Sequence, residues 1–164
     1  MRKVIGAILA LLLLPVAAAA APSTAPDYTA TDQVQFAKLE ASNGTWTCKD
    51  TPASVTPDVF IGKQSGNWFV WSESGDQPST TYVRWVHTLK AYVQNEIDAE
   101  GTTEIYTTRS LDPFNAIWKP AFPLHAGLYP FTYTFHDGAL GATGKYRDRK
   151  THKVFTFKAV CTKG

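Results

Sequence analysis

The sequence predicts a mainly β protein: an antiparallel up-and-down barrel of about eight strands, preceded by one short helix. Three observations carry this reading. From Thr45 onward apolar residues recur with period two, and turn residues break the pattern at short intervals. The connections between these runs are short except near Ser110–Leu128, and none reads as a crossover helix, which excludes a parallel α/β sheet. The two cysteines, Cys48 and Cys161, fall in the first and last alternating runs.

The helix comes first. Between Thr31 and Ala41, Val34, Phe36, Ala37 and Leu39 lie among Asp32, Gln33, Gln35, Lys38 and Glu40, with no Gly or Pro. That is a short amphipathic helix, with Thr31 or Asp32 as its cap and Ser42-Asn43-Gly44 as its end. In the first strand, Trp46 and Cys48 share a face. Val59-Phe60-Ile61 and Asn67 to Ser72 read as a hairpin joined through Gly62 to Gly66. Trp68 and Trp71 differ in parity, so one faces inward and the other outward. Tyr82 to Val93 reads as one long strand with Val83, Trp85, His87, Leu89, Ala91 and Val93 on its inner face. Thr103 to Arg109 follows the turn at Glu100-Gly101. Tyr129 to His136, Leu140 to Arg147 and Lys153 to Thr162 complete the set, with a hairpin at Asp137-Gly138. Ser110 to Leu128, which holds Trp118, reads as a long connection.

The cysteines join the ends of this meander. Neither belongs to a C-x-x-C pair, so dithiol redox chemistry and Cys-rich zinc binding lack their spacing. One long-range Cys48–Cys161 disulfide is expected, and it brings the first and last strands together. A meander whose ends meet closes into a barrel, which also removes exposed edges. A two-sheet sandwich is the alternative, although the Cys and Trp spacing does not fit an immunoglobulin domain.

Residues 1–21 read as a secretory signal peptide, residues 22–30 as a flexible lead-in and residues 31–164 as a single domain. Arg2 and Lys3 precede the apolar run Val4 to Val16 and the Ala-rich segment Ala17 to Ala21. A secreted or periplasmic location and no stable membrane span after cleavage are expected. The net charge of +2 belongs to that leader, since the remaining chain carries equal numbers of acidic and basic residues. A neutral domain is not expected to bind nucleic acid. A monomer is expected.

Sequence motifs for catalysis are absent. There is no G-x-S-x-G, no glycine-rich phosphate loop and no H-x-x-x-H or H-x-H among His87, His125, His136 and His152. No metal site and no cofactor are expected. Glu96, Asp98, Glu100 and Glu104 surround a turn and read as a solvated acidic rim. Lys145 to Lys153 is a basic run interrupted by Asp148, and reads as a solvated hairpin tip. Asn43-Gly44-Thr45 matches an N-glycosylation acceptor.

The helix, the segment Asn43-Gly44-Thr45-Trp46-Thr47-Cys48 and the closing strand Phe155 to Cys161 resemble small exported bacterial lipocalin-like proteins. The likeness covers roughly residues 31–162, and Gly44 and Trp46 stand where lipocalins carry a Gly-x-Trp whose Trp packs across the barrel floor. The resemblance implies a calyx and an apolar ligand; it implies no catalytic residue. Haem-binding members of the superfamily hold haem through a histidine, which none of these four matches.

Three functional classes follow. The leading one is a barrel that binds a small hydrophobic or amphipathic molecule, with Trp71, Trp85, His87, Arg109 and Tyr133 in the interior or mouth. Aromatic rings supply contact area and Arg109 or His87 a polar anchor. The second is a small enzyme using His87 as base with an acid such as Glu104. The third is an envelope structural or interaction module, which predicts a filled barrel and an exposed aromatic patch including Phe69 and Tyr106.

Overall fold

The computed structural model describes residues 30–52, 56–121, 128–147 and 151–164. The leader, most of the lead-in and His125 lie outside the described residues. Helix α1 spans Ala30–Leu39 and continues into a 3-10 turn at Glu40–Ser42. Ten strands follow: β1 Gly44–Thr51, β2 Val59–Ser65, β3 Trp68–Ser74, β4 Ser79–Val86 and β5 Ala91–Asp98. The second half is β6 Thr103–Thr108, β7 Ala116–Pro120, β8 Phe131–His136, β9 Ala139–Arg147 and β10 Val154–Lys163. All pair antiparallel with their neighbours in sequence, and β1 pairs with β10, closing the barrel.

The expected eight strands become ten for two local reasons. A 3-10 turn at His87–Leu89 and a left-handed Lys90 (φ 46°) split the run Tyr82 to Val93 into β4 and β5. This break shifts the parity. On β4 the inner residues are Thr81, Val83 and Trp85, whereas on β5 they are Tyr92, Gln94 and Glu96. His87 and Leu89 are therefore not part of an inner face, and both are exposed. The second addition is β7, inside the expected connection. Its Ala116 and Trp118 are buried and Ile117 and Lys119 exposed, but Pro113 shortly before it and Pro120 at its end hide so short an alternation.

Cys48 and Cys161 sit directly opposite each other across the β1–β10 pair and form the disulfide, with S–S 2.06 Å. The expected seam is present. Inner-face aromatics fill the barrel: Trp46, Phe69, Tyr92 and Trp118 are at most 1 % exposed. Trp118 stacks on Phe131 at 6.3 Å, and Phe131 meets Tyr106 edge-on at 4.9 Å. Trp71 faces in and Trp68 faces out, where Tyr82 and the Arg84 guanidinium pack on its ring. Phe69 and Tyr106, expected in an exposed patch, are buried because both have inner parity.

Helix α1 and its 3-10 turn close one end. The 3-10 turn buries Ser42, whose backbone oxygen accepts from Trp46 Nε1 at 3.0 Å and whose Oγ accepts from Trp71 Nε1 at 2.9 Å. Gly62 allows this seat: a Cβ there would stand 2.2 Å from the Ser42 oxygen. Tyr92 Oη donates to Gln35, whose backbone oxygen lies 2.7 Å away. These bonds satisfy the polar groups that the helix end would otherwise bury unpaired. The β3–β4 and β5–β6 connections lie at the opposite end.

Candidate functional site

Two places in the fold bring chemistry-bearing side chains together. The first is a cleft of about 620 Å³ between α1, the β2–β3 turn and the exit of β4. From α1 it receives Asp32, Gln33, Phe36 and Ala37, because residues spaced three and four apart share one side of a helix. From β4 and the following turn come Arg84, Trp85, Val86, His87 and Thr88, with Gln64, Gly66 and Asn67 on the third side. The volume lies within the usual range for small-molecule pockets.

Its polar edge is an Asp–His pair. His87 Nδ1 lies 3.0 Å from Asp32 Oδ1, with the imidazole 58 % exposed and the carboxylate 10 %. A carboxylate accepts, so Nδ1–H donates and Nε2 is left as the basic nitrogen. Asp32 sits in the first turn of α1 rather than at its cap, because the helix begins at Ala30. The acidic partner of His87 is thus Asp32, and Glu104 lies at the far end of the barrel. Next to this pair Trp85 meets Tyr92 edge-on at 5.1 Å, and its buried Nε1 has no acceptor among the described residues. A buried N–H without a partner costs about 1–3 kcal/mol.

The second place is the inner face at the loop end. Glu73 of β3, Glu96 of β5 and Glu104 of β6 all have inner parity, and Glu96 is directly opposite Glu104 in the ladder. Of the expected solvated rim of Glu96, Asp98, Glu100 and Glu104, Glu100 is exposed, whereas Glu96 and Glu104 turn inward. Strand alternation turns them into the barrel, where burial, then neighbouring carboxylates, raise Glu73 and Glu96 to about 7. Ser79 Oγ donates to Glu73 at 3.3 Å and Tyr106 Oη to Glu104 at 2.9 Å. Asp58, before β2, is raised to about 6 by burial and by Asp50. Burial pushes the Tyr106 and Tyr133 hydroxyls well above the ordinary tyrosine range, so both are O–H donors at neutral pH.

The five residues singled out by sequence divide between these places. Trp85 and His87 share the cleft. Trp71 and Tyr133 meet inside the barrel, with ring centroids 5.9 Å apart, and Trp71 anchors the 3-10 turn. Arg109 is exposed just beyond β6 and does not line the cleft. His136 is exposed on the outer face beside Asp137, and His152 is exposed in a turn. No group of three or more His, Cys, Asp or Glu among the described residues could hold a metal ion. No helix among them is long and apolar enough to cross a membrane.

Sequence reasoning missed Asp32, Phe36 and Glu73 as site residues. Helical spacing places Asp32 beside Phe36, and strand parity places Glu73 with Trp71, so both signals were present. No known protein family and no curated protein matches the chain.

Proposed function

We propose that this barrel binds a small amphipathic molecule in the cleft between α1 and β4. One observation carries the reading: a pocket-sized cleft pairs an apolar wall of Phe36, Ala37, Trp85 and Val86 with a polar edge of Asp32, His87 and Arg84. The wall supplies contact area, and the edge fixes the orientation of a polar end. Binding here leaves the aromatic core packed and the helix seated, so the barrel serves as a rigid support rather than as an emptied calyx.

The test is dye binding with a variant that fills the cleft. Ala37 is exposed on α1 and lines the cleft, so Ala37→Trp occupies the space without entering the core. An anilinonaphthalene sulfonate dye is expected to brighten with the parent protein and to bind at least about tenfold more weakly to Ala37→Trp. Equal binding by both proteins removes the cleft as the site. Mass spectrometry of solvent extracts from the purified protein then identifies the natural ligand class.

The Asp32–His87 geometry supports a second reading, in which Nε2 of His87 acts as a general base on a molecule in the cleft. An activity found by substrate screening and retained in His87→Ala removes it.

A further inference from the structure

The last hairpin outruns the barrel. Strand β9 pairs with β8 only as far as Gly144, opposite Phe131, and β10 pairs with β1 only as far as Lys158, opposite Thr51. Beyond those positions, residues 145–147 and 154–156 pair only with each other, at the end of the barrel opposite α1. Directly opposed residues share a face of such a ribbon. On one face Tyr146 and Phe155 are opposed, stack at 5.6 Å and are 37 % and 39 % exposed. Phe157, whose ring lies over Gly144, continues this stripe into the core. The other face carries Lys145, Arg147 and the exposed Val154, with Lys153 just before it.

A cross-strand aromatic pair steadies a two-stranded ribbon, but it does not call for unpaired cations behind it. Thr156 stands opposite Lys145 and Val154 opposite Arg147, and neither cation has an acidic partner among the described residues. Seven of the chain's sixteen basic residues and one of its fourteen acidic residues fall between Gly138 and Gly164. Charge is therefore segregated toward this end of a balanced domain. We propose that the ribbon docks the protein on an anionic lipid surface. The Tyr146 and Phe155 rings enter the headgroup boundary, and Lys145, Arg147 and Lys153 meet lipid phosphates. A nucleic-acid strand fits less well, because the two rings stack on each other and leave no slot for a base. Docking at this end leaves the cleft beside α1 facing away from the membrane.

Cosedimentation of the purified protein with phospholipid vesicles tests this, comparing phosphatidylcholine alone with a mixture holding about 30 mol % phosphatidylglycerol. Binding is expected on the anionic vesicles, at least about tenfold weaker on the neutral ones, and reduced by salt. Lys145→Gln with Arg147→Gln is expected to weaken it at least about tenfold, and Tyr146→Ser with Phe155→Ser by a similar factor. Both double variants keep the parent's N-terminus, so the difference reads the ribbon alone. Near-ultraviolet circular dichroism reports the fold of each through the buried Trp46, Trp71 and Trp118. The charge variant leaves the stacked pair intact, so it tests the site even where the aromatic variant loosens the ribbon. Four results overturn the proposal: no sedimentation with anionic vesicles, equal binding by a folded charge variant, tighter binding to a single-stranded oligonucleotide, or a dimer in gel filtration that the aromatic variant dissolves.

Discussion

His87 Nδ1 and Asp32 Oδ1 stand 3.0 Å apart across 55 residues of sequence, and tie the first turn of α1 to the exit of β4. The two halves of the cleft are held by this contact. Asp32→Asn keeps the shape and weakens the bond, so a loss of about 1 kcal/mol in stability is expected from a half-exposed pair. Urea unfolding measures the loss. Amide exchange in α1 is expected to quicken more than in β9 or β10, and uniform acceleration would show that the pair does not anchor the helix.

The buried carboxyls set a pH dependence. Glu73 and Glu96 titrate at about 7 in the folded chain against 4.5 for an ordinary glutamate. The groups acting on them are Asp50 of β1, Asp58 before β2, Ser79 of β4, Gln94 and Asp98 of β5, Glu104 and Tyr106 of β6 and Tyr133 of β8. Between those pH values the folded state holds protons that the unfolded state has released, so stability falls as pH rises and levels off above about 7. Unfolding at pH 5 and pH 8 is expected to differ by about 1–3 kcal/mol per carboxyl, in favour of pH 5. Glu96→Gln flattens the profile and is more stable than the parent at pH 8. A profile that rises with pH contradicts the inward placement.

Gly62 makes a steric prediction. A methyl group there meets the Ser42 carbonyl oxygen at 2.2 Å and Phe69 at 3.1 Å, and neither backbone nor buried ring has room to retreat. Gly62→Ala is expected to cost about 2 kcal/mol or more by forcing the 3-10 turn off its seat. Near-ultraviolet circular dichroism should change with it, because Trp46 and Trp71 lose their shared partner, Ser42. An unchanged melting temperature would show that the helix end is loosely seated.

Much of the architecture follows from residue alternation, and the exceptions have local causes. The first and last strands, the disulfide, the opposite facing of Trp68 and Trp71 and the short helix are all legible. The break after β4 is not, because Lys90 adopts a left-handed conformation that glycine or asparagine would ordinarily announce. The 3-10 turn at His87–Leu89 together with Lys90 reverses the parity of β5 and takes His87 from the expected interior to the cleft. The Asp32–His87 contact depends on how α1 lies against β4, which alternation does not encode. The acidic layer was legible by parity, since Glu73 follows Trp71 by two. Its position beside turns, where carboxylates usually meet water, pointed the other way.

The Cys48–Cys161 bond has a topological consequence. It turns 113 residues of sequence separation into a covalent loop that contains every connection from β1 to β10. A single proteolytic cut in any of those connections leaves one molecule, with its first and last strands still clamped together. Such a cut opens the ring, yet the disulfide still joins the two pieces, so backbone continuity and structural continuity are separable in this protein.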